Sequence, residues 1–256
     1  MKIFCLIFAL FAIMNLGQDE GKLQLDFLGE KLSFKMEYLN LSVAKLDFDI
    51  LDAESGNYLV RVHAKSTGSA SLMFKLDNVY ETYFDRQSCL PNKIVKKIAQ
   101  KNIQHELKFL FDHKNGVANL GDSISWKIPE DCFDYFSMLY FLRRQRLQPG
   151  DIVRFHLDSE YIISKVEARV LAAQESIKVP AGKFRAIKLN IKFTRISPHS
   201  RPWRTDLLTN RLASPGSELT LWLSDDDSRL PLKIAYHQSQ MKTQVVLDAF
   251  SRGRRQ

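Results

Sequence analysis

The sequence predicts a mainly β fold. It is a strongly curved antiparallel sheet, or incomplete β-barrel, of roughly a dozen strands, with one principal helix at about residues 134–147 packed against it. Three observations predict it. Apolar and polar residues alternate in segment after segment, the period of a half-buried strand. Short turn-forming clusters separate the segments, so neighbours pair antiparallel. One stretch alone has clear helical spacing, so no β-α alternation builds a parallel sheet.

In chain order, Leu23 to Phe34 leads in through Gly29-Glu30-Lys31-Leu32, and Leu32, Phe34 and Met36 alternate with Ser33 and Lys35. Leu46, Phe48 and Ile50 alternate with two aspartates, and Glu54-Ser-Gly-Asn57 is a turn. Tyr58, Val60 and Val62 form the next inward set. Leu72, Phe74 and Leu76 also alternate and predict a strand, followed by another over Val79 to Phe84. Residues 93–100 and 102–111 read as a hairpin, closed on its far side by Asp112-His-Lys-Asn-Gly116.

The helix starts at Asp134, whose side chain suits an N-cap and whose charge suits the positive end of the helix dipole. Phe136, Leu139, Tyr140 and Arg143 share one face, and Tyr135, Met138 and Leu142 widen its apolar surface. Arg143, Arg144 and Arg146 lie near its end, and Pro149-Gly150 stops it. Strands resume at Val153 to Leu157, Tyr161 to Ala172 and Phe184 to Ile196, the last two joined tightly through Val179-Pro-Ala-Gly182. Residues 197–217 break the rhythm with three prolines, a basic set including Arg201, Arg204 and Arg211, and Trp203, and read as a long loop with a helical turn at 206–211. Strands at 219–223, 232–236 and 241–250 complete the domain. Asp225-Asp-Asp-Ser-Arg229 turns the chain between the first two, with Arg229 paired locally to a carboxylate.

With 256 residues, 45% of them apolar and 26% charged, the chain suits one large globular domain and excludes disordered and repeat classes. Met1-Lys2, an unbroken apolar run over residues 3–14, then Asn15, Gly17 and Gln18 have the layout of a secretory signal peptide. The expected organisation is a signal peptide over 1–17 and one β-rich domain over 18–256, exported and periplasmic, with no transmembrane span after cleavage. Cys89 and Cys132 then remain. Export permits a disulfide between them, and two buried thiols fit the spacing equally. The net charge of +8 favours anionic surfaces, and for an exported chain these are envelope components rather than nucleic acid.

Four short stretches resemble one known family. They are Gly29-Glu30-Lys31-Leu32-x-Phe34, Asp134-x-x-Ser137-x-Leu139-Tyr140-x-Leu142-Arg143 with Leu147 and Gly150, Val179-Pro-Ala-Gly-Lys-Phe184, and Leu221-Trp-Leu-Ser-Asp-Asp226 with Arg229-x-Pro231. In order and spacing they are similar to the bacterial exported family called domain of unknown function 3108 (DUF3108). One departure is Leu41-Ser-Val-Ala44, where many relatives carry a glycine. The resemblance implies an exported β-rich protein and supplies neither an activity nor catalytic residues.

The residues themselves carry no enzyme motif. Gly68-Ser-Ala-Ser71 lacks the frame of a nucleophile elbow, and the six histidines lack metal-ligand spacing. No cofactor, metal or catalytic residue is expected. Asp225 to Asp227 lacks the spacing of a calcium loop and reads as a turn. The expected function is a non-enzymatic carrier or binding module for an apolar or anionic envelope ligand such as a lipid. The alternative is a structural component that meets an envelope protein partner and holds no small ligand. Candidate ligand-binding residues are Leu139, Tyr140 and Arg143 on the helix and Arg201, Trp203 and Arg204 in the loop. For Tyr140 and Arg143 a structural role competes, in which Arg143 anchors a carbonyl or carboxylate of the sheet.

Overall fold

A computed structural model of the chain describes residues 22–39, 41–68, 70–199, 205–206, 208–214, 216–238 and 241–253. The N-terminal apolar run and Arg201, Trp203 and Arg204 lie outside them. The first half of the chain forms β1 (Lys31–Tyr38), β2 (Leu41–Ala53), β3 (Asn57–Ser66), the short helix α1 (Ala70–Met73), β4 (Asp77–Asp85), β5 (Pro91–Gln100), β6 (Ile103–Asp112), β7 (Val117–Leu120) and β8 (Ile124–Lys127). The second half forms β9 (Cys132–Phe133), helix α2 (Tyr135–Arg143), β10 (Ile152–Asp158), β11 (Ile163–Val179), β12 (Gly182–Arg195), β13 (Glu218–Ser224), β14 (Pro231–Gln238) and β15 (Met241–Ser251).

All fifteen strands belong to one sheet, ordered β8-β7-β6-β5-β4-β3-β2-β1-β15-β14-β13-β12-β11-β10-β9. The chain walks outward from β1 to one edge at β8. It crosses to the other edge at β9, then walks back until β15 pairs with β1. Every pairing is antiparallel except that of β9 with β10, which is parallel. The reason is local: α2 is the crossover between those two strands, and a crossover returns the chain in the same direction.

The sheet curls without closing. Inward positions alternate as the sequence predicts: Leu32 and Phe34 on β1, Phe48 and Ile50 on β2, Val60 and Val62 on β3, Leu189 and Ile191 on β12. Side chains cover the seam where no ladder forms. Trp126 of β8 donates Nε1–H to Asp158 Oδ2 at the end of β10, 2.7 Å away, and its ring meets Tyr161 edge-on at 5.1 Å. Ile94, Phe109, Phe111, Ile128, Cys132 and Ile163 join Trp126 in a small separate core there.

Two expectations need correction, and one open alternative is decided. Helix α2 stops at Arg143 rather than near residue 147. Leu23 N–H donates to the Arg144 carbonyl at 2.6 Å and Lys22 bridges Gln145, so the lead-in segment pairs with the chain where a further helical turn would lie. Residues 72–76 form no strand. α1 and a bend replace it, leaving Leu72 in solvent while Leu76 bridges Gln100 and is buried. Finally, Cys89 and Cys132 are both free and buried, Cys89 in the main core and Cys132 in the seam core, so the pair takes the thiol alternative.

Candidate ligand-binding cavity

Helix α2 lies inside the curl, bolted at both ends. At its start Asp134 Oδ1 accepts Ser137 N–H at 2.8 Å, and Ser137 Oγ accepts Asp134 N–H at 3.1 Å, a reciprocal capping box. Thr82 of β4 donates its hydroxyl to Asp134 Oδ2 at 2.8 Å, which fixes that cap to the sheet. At the other end Arg143 reaches Glu30 with both Nη atoms at 2.6 Å. It also donates to the carbonyls of Ser228 at 3.1 Å and Arg229 at 2.9 Å. Arg144 donates to the carbonyls of Leu25, Arg86 and Gln87. These bonds satisfy charges that burial would otherwise penalise heavily.

Three of the stretches that carry the family resemblance therefore meet at one point. Gly29-Glu30 supplies the carboxylate, α2 supplies the guanidinium, and the 225–229 turn supplies the carbonyls. That turn is held as its residues predict. Asp226 accepts Ser228 N–H at 2.8 Å and the Ser224 hydroxyl at 2.8 Å, and Arg229 pairs with Asp225 at 3.3 Å.

Beside the N-terminal half of α2 the interior is not filled. A cavity of about 470 Å³ lies between Tyr135, Phe136, Met138 and Leu139 of the helix and the inner face of the sheet. Its walls include Phe34, Phe48, Val62, Ile191, Leu221 and Ile234. Volume and apolar lining fall in the range of small-molecule sites, roughly 300–1,000 Å³. Polar groups gather on one side, where Tyr80, Thr209 and Arg211 also line the space. Tyr236 borders them and donates its hydroxyl to the Arg211 carbonyl at 2.9 Å.

That polar side belongs to the β12–β13 connection. Part of it is packed into the protein, with Thr205, Asp206, Thr209 and Ser217 buried, while Ile196, Pro198, His199 and Arg211 are exposed. The expected helical turn is present, with Asn210 N–H on the Asp206 carbonyl at 3.1 Å, and Asp206 caps it by accepting Leu208 N–H at 2.9 Å. Across the curl the turn is tied to β5. Lys96 Nζ lies 2.6 Å from Glu160 Oε1, 3.3 Å from Thr209 Oγ1 and 3.9 Å from Asp206 Oδ2, and Gln100 donates to Asp206 Oδ1 at 2.9 Å. Burial opposes the charge of Lys96, but Glu160 and Asp206 outweigh it and hold the ammonium pKa above its ordinary value. Nearby, burial pushes the Asp158 carboxyl up to about 7 against the hydrogen bonds from Trp126 and Tyr161.

Of the candidate ligand residues, Leu139 lines the cavity. Tyr140 and Arg143 do not. Tyr140 is wholly buried between Phe84, at 5.4 Å, and Phe27, at 4.9 Å, and burial drives its phenol pKa well up. Arg143 is spent on Glu30 and the 225–229 turn, the anchoring role. Arg201, Trp203 and Arg204 lie outside the described residues. Reading the sequence missed Lys96, Glu160 and Asp206. Lys96 did leave a signal: it sits at the inward parity of β5 between Ile94 and Ile98.

Among the described residues two histidines pair with carboxylates, each apart from the other. His63 pairs with Asp77 at 2.6 Å and His156 with Asp131 at 2.5 Å, on separate strands and half-exposed. Among the described residues no group of three or more His, Cys, Asp or Glu side chains is placed to hold a metal ion. No helix among them is long and apolar enough to cross a membrane.

A curled, unclosed sheet with a helix inside it and an apolar space beside that helix places the chain among β-barrel-like proteins with an interior cavity. Within that class it belongs to the family described as protein of unknown function DUF3108, whose model matches residues 32–240. Among solved structures it is similar to a β-barrel-like protein of domain of unknown function DUF1849 from Brucella abortus. The two share 9% identity with a TM-score of 0.58, over 90% of this chain and 100% of that one, a likeness of fold. A Bacteroides fragilis protein with a YmcC-like fold is also similar, at 9% identity and TM-score 0.39, over 91% of this chain and 100% of that one. No curated protein matches the chain.

Proposed function

We propose that the chain is an exported, non-enzymatic carrier that holds the acyl chain of an envelope lipid in the cavity beside α2. The observation that carries this reading is the unfilled, apolar space itself. A sheet that served only as a scaffold gains stability by packing its interior, since a void forfeits dispersion contacts and costs free energy in proportion to its size. Here the large side chains of α2 and the sheet leave about 470 Å³ open. The polar groups are confined to one side, the arrangement a ligand with an apolar tail and a polar head requires. Export rests on the N-terminal sequence, a basic start and an apolar run over residues 3–14.

The test is titration with a fluorescent long-chain fatty acid. Wild-type protein binds it saturably at one site. Ile234→Trp, a half-buried wall residue enlarged into the space, weakens binding about tenfold or more while the fold persists. Equal binding by both proteins, or none by the wild type, rules the cavity out as the site.

A further inference from the structure

The two ends of the curl differ in chemistry. At one end lie the β1–β2, β3–β4, β5–β6 and β14–β15 connections. Residues 38–44, 66–76, 99–103 and 237–243 span them, and in sequence they hold Lys75, Lys101 and Lys242 and no aspartate or glutamate. At the opposite end the charges are mixed: Glu54, Asp225, Asp226 and Asp227 stand with Arg86, Lys114 and Arg229. Lys75 and Lys101 are exposed and adjacent, joined through the Lys101 N–H to Lys75 carbonyl bond at 3.0 Å. Of the acidic groups near this rim, Glu160 and Asp206 are buried against Lys96, Asp77 is paired with His63 and Lys65, and Glu37 accepts from Gln244, so the charge the connections present is basic.

The same rim exposes large apolar side chains. Leu39 is 67% exposed, Leu41 70% and Leu72 89%, with Tyr38 and Phe74 partly exposed beside them. Thr67 N–H donates to the Val43 carbonyl at 3.1 Å, which holds the β3–β4 connection next to the β1–β2 turn, so these residues form one patch rather than scattered singles. Leu39 has φ of 50°, in the left-handed region that turns usually give to glycine or asparagine. A leucine there serves neither the turn nor the core. The cavity lining runs out to Met36, Tyr236 and Thr243, the ends of β1, β14 and β15 nearest this rim.

We propose that the rim carrying Leu39, Leu41, Leu72 and Phe74, flanked by Lys75 and Lys101, docks on the surface of a bilayer containing anionic lipid. The leucines and Phe74 enter the headgroup–acyl boundary and the lysines meet phosphates, the pairing of apolar prongs and cations that gives peripheral membrane binding. Docking there brings the cavity mouth to the acyl layer, so a chain passes from bilayer to protein with little exposure to water. That transfer step rests on the carrier reading; the docking step does not.

The experiment is co-sedimentation with phosphatidylcholine vesicles, with and without phosphatidylglycerol, beside the fatty-acid titration. Wild-type protein binds the anionic vesicles. The variant L39S/L41S/L72S/F74S binds them about tenfold more weakly or worse, yet binds the soluble fatty acid as wild type does, because none of the four lines the cavity. The variant K75E/K101E loses the preference for anionic over neutral vesicles. Absence of wild-type binding, or equal binding by wild type and the serine variant, overturns the proposal. Vesicle binding that follows these rules with no fatty-acid binding upholds docking and defeats the carrier reading alone.

Discussion

Arg143 and Glu30 stand 113 residues apart in the chain and meet as a two-pronged ion pair, both contacts at 2.6 Å and both side chains shut away from solvent. The pair holds the C-terminal end of α2 to the start of β1, and so sets the helix against which the cavity forms. Glu30→Ala leaves a buried guanidinium with carbonyl partners alone. It should cost roughly 3–5 kcal/mol, read as a lower denaturant midpoint at unchanged slope. Replacing both partners with apolar residues, Glu30→Leu with Arg143→Met, should recover much of that loss. A double variant as unstable as the single one would mean that the carbonyl bonds, not the ion pair, hold the helix.

Gly29 makes the turn that presents Glu30. Its φ is +75°, and a Cβ there would stand 3.0 Å from the Gly253 Cα. Gly29→Ala is expected to destabilise by about 1–3 kcal/mol through left-handed strain and that contact. A thermal melt indistinguishable from wild type would show that the lead-in turn relaxes freely.

Asp158 makes stability depend on pH. Its folded pKa is about 7 against an ordinary 3.8. Between those values the folded state keeps a proton that the unfolded state has lost. Stability from this group is therefore fully present below about pH 4 and is lost as pH rises to about 7, flat beyond. The melting temperature of wild type should fall across this window more steeply than that of Asp158→Asn. Parallel curves would place the titration elsewhere.

Both thiols should be silent in the folded protein. Burial pushes Cys89 up to about 11 and Cys132 well above the ordinary thiol range, so neither offers an accessible thiolate at neutral pH. A thiol reagent should label Cys89 and Cys132 only after denaturant is added. Rapid labelling of Cys132 under native conditions would mean that the seam beside Trp126 opens readily.

Much of this architecture was legible because strands advertise themselves by parity. The inward sets on β1 to β3 and on β12 follow directly from alternation, and the α2 cap follows from Asp134 and Ser137. Alternation failed at Leu72, Phe74 and Leu76 because period two is a local pattern, while the connection there is shaped by Leu76 pairing with Gln100. Strand order was beyond local reading, since β1 meets β15 only through contacts more than 200 residues apart in the chain. The site was half legible. Leu139 on the apolar helix face lines the cavity, while the partners of Arg143 and Lys96 come from distant turns that no local spacing reveals. Residues 197–217 read as a long loop because prolines and charges break the strand rhythm, and nothing local told that Asp206 and Thr209 lie inside, held by Gln100 and Lys96.

The most direct measurement is native mass spectrometry, with lipid extraction, of the protein purified gently from its native cells. The carrier account predicts one acyl-bearing lipid per chain, displaced in Ile234→Trp. A clean ligand-free mass, from protein that also fails to take up added fatty acid, would contradict it and leave the interior as an unfilled scaffold.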